Sequence, residues 1–99
     1  TISIGDNVCI SQGAYLFNGN HNYKKENFAL LLKEIILEEG AWIGAKSVVC
    51  PGVICKSHSI LAAGSVATTN LEPYKIYQGN PAIYKRTRKI EDPSSELTS

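Results

Sequence analysis

Leu37-Glu38-Glu39-Gly40-Ala41-Trp42-Ile43-Gly44-Ala45-Lys46-Ser47-Val48-Val49 carries two periods of a six-residue beat, and that beat decides the fold. Extended outward, it places Leu37, Ile43, Val49, Cys55, Leu61 and Ala67 six apart without a slip, and an earlier set, Ile4, Ile10 and Leu16, keeps the same interval. Four residues after most of these stands a second small or β-branched side chain: Val8, Ala14, Ala41, Ser47, Val53, Ser59 and Ser65. In a chain that is 43% hydrophobic, six apolar residues fall in phase by chance with a probability of roughly 0.006. Two inward positions in every six describe a short strand and a turn, repeated. A single such unit cannot bury its apolar face and must stack on the next, which predicts an all-β parallel β-helix. With three hexads closing one triangular coil, residues 4–21 and 37–72 hold three and six hexads, about three coils.

The register is interrupted once. The fifteen residues 22–36 are not a multiple of six and read as an inserted loop. That loop is polar at Lys24, Lys25 and Glu26, then carries Phe28 and Leu30-Leu31-Leu32, which a solvated loop would not tolerate. It packs either on its own coil or on a neighbouring subunit. The division expected is a β-helix over 1–72 and an arm and tail over 73–99. Gly79-Asn80-Pro81 is a turn signature, the Lys- and Arg-rich stretch from Ala82 to Glu91 is a short helix or an extended arm, and the residues beyond are polar enough to fray. Thr1-Ile2-Ser3-Ile4 enters the first coil at once; a bare β-helix end exposes strand edges, so this stretch reads as the C-terminal part of something longer.

Ninety-nine residues allow one domain, and a net charge of +1 with a pI near 7.6 argues against a nucleic-acid or membrane surface as the main partner. No apolar run approaches the roughly 20 residues that span a bilayer, and the first residues do not form a signal peptide, so a soluble, cytoplasmic chain is expected. Cys9, Cys50 and Cys55 are an odd number without CxxC spacing, which supports neither a disulfide framework nor a zinc knuckle. They read as reduced thiols, Cys55 lying in the inward column as a small hydrophobe.

The stretches Ile10-Ser11-Gln12-Gly13-Ala14-Tyr15 leading to Gly19-Asn20-His21, Gly40-Ala41-Trp42-Ile43-Gly44-Ala45, Val49-Cys50-Pro51-Gly52-Val53, Ala63-Gly64-Ser65-Val66 and Gln78-Gly79-Asn80-Pro81-Ala82 occur in an informative order. Together they resemble the hexapeptide-repeat acyltransferases, within them the sugar O-acetyltransferases of the maltose, galactoside and nodulation type, and among these the colanic-acid biosynthesis acetyltransferases. Periodicity alone does not give the hand of the coil, and the general rule for parallel crossovers would make it right-handed. The resemblance instead implies a left-handed β-helix, assembly as a homotrimer, and acetyl-CoA bound between subunits as co-substrate, with no metal required.

The same resemblance implies roles for particular residues. His21, where the first run of hexads ends, takes the place of the catalytic base. A sugar hydroxyl is too weakly acidic to attack a thioester at neutral pH, and an imidazole with a pKa of about 6.5 can remove its proton as the bond forms. The backbone of Ala45 takes the place of the donor to the thioester oxygen. Trp42, Gly44, Ala45, Ala62, Ala63 and Thr68 line the cofactor, and Lys85 and Arg86 face its phosphates. Small residues also suit tight β-helix turns, and Lys85 and Arg86 also suit a solvated basic arm. Trp42 faces outward by phase, and His58 reads as an exposed turn residue. Departures from the family pattern stand at Ala67-Thr68-Thr69, Asn22 and Cys55-Lys56-Ser57. A β-helical carbonic anhydrase would need three imidazoles on zinc, and the chain has two histidines. A non-catalytic β-helix assembly module, or a truncated acetyltransferase without activity, remains the alternative.

Overall fold

The computed structural model describes residues 1–17, 19–21 and 30–90 of the chain. The first coil consists of β1 (Ile2–Ile4), β2 (Cys9–Ile10) and β3 (Tyr15–Leu16), and a hairpin of β4 (Gly19–His21) and β5 (Leu30–Leu32) follows it. The second coil holds β6 (Ile35–Leu37), β7 (Trp42–Ile43) and β8 (Val48–Val49), and the third holds β9 (Ile54–Cys55), β10 (Ile60–Leu61) and β11 (Val66–Ala67). A closing hairpin is made by β12 (Lys75–Gly79) and β13 (Ala82–Thr87). The coil strands stack in parallel as three sheets, β1-β6-β9, β2-β7-β10 and β3-β8-β11, the second continued by β12 and β13.

The six-residue beat becomes three faces because each period contains one strand of two or three residues and one corner. At the corners, Asn7, Gly13, Gly40, Lys46, Gly52, His58, Gly64 and Tyr74 all have positive φ, between 56° and 82°. From Gly13 to Tyr74 each sits inside a turn closed three residues on, as in Ala41 N to Glu38 O at 3.1 Å and Ser65 N to Ala62 O at 3.2 Å. Left-handed backbone is easy for glycine and costs a side-chain-bearing residue such as Lys46 about 1 kcal/mol. This column is a second periodic signal that the apolar beat alone does not reveal.

Adjacent full coils are eighteen residues apart, with Ile36 opposite Ile54, Trp42 opposite Ile60 and Val48 opposite Val66. Leu37, Ile43, Val49, Cys55, Leu61 and Ala67 are buried, as are Ala41, Ser47, Val53, Ser59 and Ser65 from the second inward column. Each fully buried aliphatic side chain among them contributes about 1.5–3 kcal/mol. In the first coil the same columns are more open, Ile4 being 55% and Ile10 39% exposed.

Two boundaries differ from the sequence reading. The insertion ends earlier than residue 36, because Ile35 pairs with Ile2 and is buried in the wall of the helix. Similarly, the last hexad does not run its full six residues. Leu71 stands opposite Cys55 and Ile76 opposite Ile60, each sixteen residues on, so the inward position arrives early. Asn70 Oδ1 compensates, accepting from the backbone of Ile54 at 2.8 Å. Of the two forms expected for the basic segment after Ala82, the structure has the extended one, an antiparallel strand with an irregularity where Ile76 meets Arg86 and Tyr77 meets Tyr84. Lys85 is the extra residue there, which breaks the two-residue alternation that would have marked a strand.

Candidate functional site

Five of the residues expected to line the cofactor gather at one edge of the helix. Trp42 lies on β7, facing outward and 44% exposed. Gly44 and Ala45 follow it into the corner before β8, and Ala62 and Ala63 occupy the same corner one coil on. The coils are fastened there by Gly44 N to Leu61 O at 2.8 Å and Gly64 N to Ala45 O at 2.9 Å. A Cβ on Gly44 would come within 2.6 Å of both Leu61 O and Ala63 N, so the backbones themselves demand glycine. Ala45 is the outward residue of its turn, and among the described residues nothing accepts from its N–H. A coil corner thus presents a rigid amide donor beside small side chains, a form suited to binding an oxyanion.

The other expected residues lie elsewhere. Thr68 follows β11 at the next corner round, exposed. Lys85 and Arg86 are exposed on β13, three strands from β7, about 14 Å at the usual strand spacing. His21 ends β4, whose partner β5 sets it opposite Leu30. Its backbone leaves the helix beyond Phe17, whose N–H still donates to Val49 O at 3.3 Å. The side chain of His21 and Asn22 lie outside the described residues. The face β3-β8-β11 stands between the corner where β4 departs and the corner that carries Ala45.

Sequence reasoning missed two features. Ser11 lies beside the cluster, its Oγ accepting from Trp42 Nε1 at 3.1 Å. His58 is half-buried rather than exposed, because the stacked corners place Gly40 beneath it and Tyr74 above. The His58 and Tyr74 rings stack at 4.7 Å, and Arg88 Nη1 donates to Gly40 O at 2.9 Å and His58 O at 3.3 Å. The left-handed column in the sequence could have found this stack. Cys55 is buried, and desolvation pushes its thiol up to about 12; Cys50 shifts in the same direction for the same reason. Neither has the setting of an acyl-accepting nucleophile. Among the described residues there is no cluster of three or more His, Cys, Asp or Glu able to hold a metal, and no helix long and apolar enough to cross a membrane.

No protein-family model matches the chain. The galactoside O-acetyltransferase of Escherichia coli strain K12 is 32% identical over 95 residues, which cover 93% of this chain and 46% of that protein. Among solved structures, a maltose O-acetyltransferase from Clostridium difficile 630 aligns with a TM-score of 0.82 at 22% identity, over 90% of this chain and 49% of that one. AntD, an N-acyltransferase from Bacillus cereus in complex with dTDP and 3-hydroxybutyryl-CoA, also aligns at 0.82, with 21% identity over 98% of this chain and 56% of that one. The chain spans about half the length of these proteins. Its fold is the left-handed parallel β-helix of the hexapeptide-repeat acetyltransferases, opposite in hand to the general crossover rule. In sequence it is similar to galactoside O-acetyltransferase over nearly its whole length.

Proposed function

We propose that the chain is the β-helical part of an acetyltransferase that moves an acetyl group from acetyl-CoA to a hydroxyl of a sugar or exopolysaccharide precursor, of the colanic-acid type. The observation that carries this reading is the N–H of Ala45, which has no acceptor among the described residues and stands beside Gly44, Ala62 and Ala63, a few residues on from the exposed Trp42. In the reaction, the acceptor oxygen attacks the thioester carbonyl carbon while the imidazole of His21 takes its proton. The carbonyl oxygen becomes an oxyanion and receives the Ala45 N–H. The C–S bond then breaks, and the imidazolium returns the proton to the departing sulfur, leaving coenzyme A as a free thiol. Lys85 and Arg86 meet the phosphates of the cofactor, with Thr68 a further contact.

A homotrimer completes the site in this reading. His21 and Ala45 belong to different edges of the helix, so packing the edge of one copy against the neighbouring edge of another would bring base and donor together. The hydroxyl acceptor in this reading is supported by the similarity to galactoside O-acetyltransferase over 93% of the chain, against 50% for a sugar N-acetyltransferase.

The test is a thiol-release assay with acetyl-CoA and a panel of sugars and amino sugars, run beside a mass measurement of the assembly. Sugar-dependent release that His21→Ala abolishes, with acetyl-CoA binding retained, is the expected result. Undiminished turnover in that variant would remove His21 as the base. Absence of acetyl-CoA binding by the wild-type chain would favour the non-catalytic assembly module.

A further inference from the structure

The bond between Trp42 Nε1 and Ser11 Oγ, 3.1 Å long, crosses from the second coil to the first. Register places Ser11 beside Gly44, and Gly44 beside Ala62. Ser11 is therefore the hydroxyl-bearing member of an otherwise small apolar run at this edge. It is also a fixed point. Its N–H donates to Ile43 O at 2.9 Å, and its carbonyl accepts from Ala14 N at 3.2 Å.

The side-chain bond is not needed to join the two coils. Cys9 N already donates to Ala41 O at 3.0 Å, and Ser11 N to Ile43 O, on either side of the β2–β7 pair. An exposed bond between side chains adds little to such a ladder. What it does control is the ring. A large, half-exposed aromatic side chain samples several orientations unless something holds it, and ordering it during binding weakens affinity. With its indole nitrogen tied to a rigid serine, Trp42 offers one fixed apolar face before any ligand arrives.

We propose that Ser11 is a positioning residue, holding the Trp42 indole in the orientation in which it receives acetyl-CoA. The proposal rests on the acetyl-CoA reading of this corner given above. Ser11 touches no reacting atom; it acts through the ring.

Trp42 is the only tryptophan, so emission excited at the red edge of its band, where the tyrosines do not absorb, reports on this ring alone. The experiment compares the full chain as wild type, Ser11→Ala and Ser11→Thr, recording emission anisotropy, the thermal midpoint and acetyl-CoA titrations. Ser11→Ala is expected to lower the anisotropy and to weaken acetyl-CoA binding about three- to tenfold, the range one hydrogen bond supports, without moving the thermal midpoint. Ser11→Thr, which keeps the hydroxyl, is expected to restore both. Wild-type affinity in Ser11→Ala overturns the proposal, as does an affinity loss that only follows a fall in thermal midpoint. A wild-type chain that binds no acetyl-CoA overturns the underlying reading and this inference together, and is distinguished from failure of the inference alone by the wild-type titration.

Discussion

Leu16 lies in register with Val49, thirty-three residues along the chain, whereas Ile36 and Ile54 in the next pair of coils are eighteen apart. The fifteen extra residues leave and rejoin the helix without disturbing the pairing on either side. A loop can do this when its ends meet at neighbouring coils, because the entropy of closing it grows only slowly with its length. The β4–β5 hairpin supplies such an exit and return.

Glycine at position 44 answers to space and glycine at position 64 to backbone conformation. Gly44→Ala drives a Cβ to 2.6 Å from Leu61 O and Ala63 N, so the third coil must shift; a loss of about 1–3 kcal/mol is expected in urea denaturation. Gly64→Ala meets nothing within 4 Å but keeps a φ of +71°, and should cost about 1 kcal/mol.

The inward serines should respond in opposite directions. Ser47 Oγ donates to Gly44 O at 2.5 Å, whereas Ser59 Oγ is buried without a partner among the described residues. Ser47→Ala is expected to lower stability by about 1 kcal/mol and Ser59→Ala to leave it unchanged or raise it, since no bond is lost and a desolvated hydroxyl is removed. Paired denaturation curves check both.

Alkaline pH should unfasten the core through Cys55. Its thiol is raised from 9.0 to about 12 by burial, so the unfolded chain releases this proton at lower pH than the folded one does. Stability from this group is present in full below pH 9.0 and is lost as pH rises toward about 12. Cys55→Ala should flatten the dependence of stability on pH in that window by up to about 1.4 kcal/mol per pH unit, read from urea curves in matched buffers. At neutral pH an aromatic disulfide reagent should react readily with exposed Cys9 and only slowly with Cys55 until the chain is denatured.

Arg88 ties the closing hairpin to two earlier coils by its bonds to the Gly40 and His58 carbonyls. Removing the guanidinium in Arg88→Ala should destabilise by about 1–3 kcal/mol and speed amide exchange in β12 and β13 more than in β7. Equal acceleration across the whole helix would show that the hairpin does not open separately.

The amino-acid sequence by itself determined the scaffold and much of the binding corner. A period of six with two inward positions allows only one way to bury Leu37, Ile43, Val49, Cys55, Leu61 and Ala67 together, so the coil and its outward residues, Trp42 among them, could be read directly. Gly44, Ala45, Ala62 and Ala63 fall together for the same reason, since residues eighteen apart must stack. The tertiary structure alone decided what depends on contacts between coils rather than on the period. It brought Ser11 to Trp42, cut the last coil to sixteen residues and folded the basic arm into a hairpin. These outcomes turn on side-chain direction, a bulge at Lys85 and a substitute hydrogen bond that Asn70 accepts from Ile54, none of which has a repeat in the sequence to announce it.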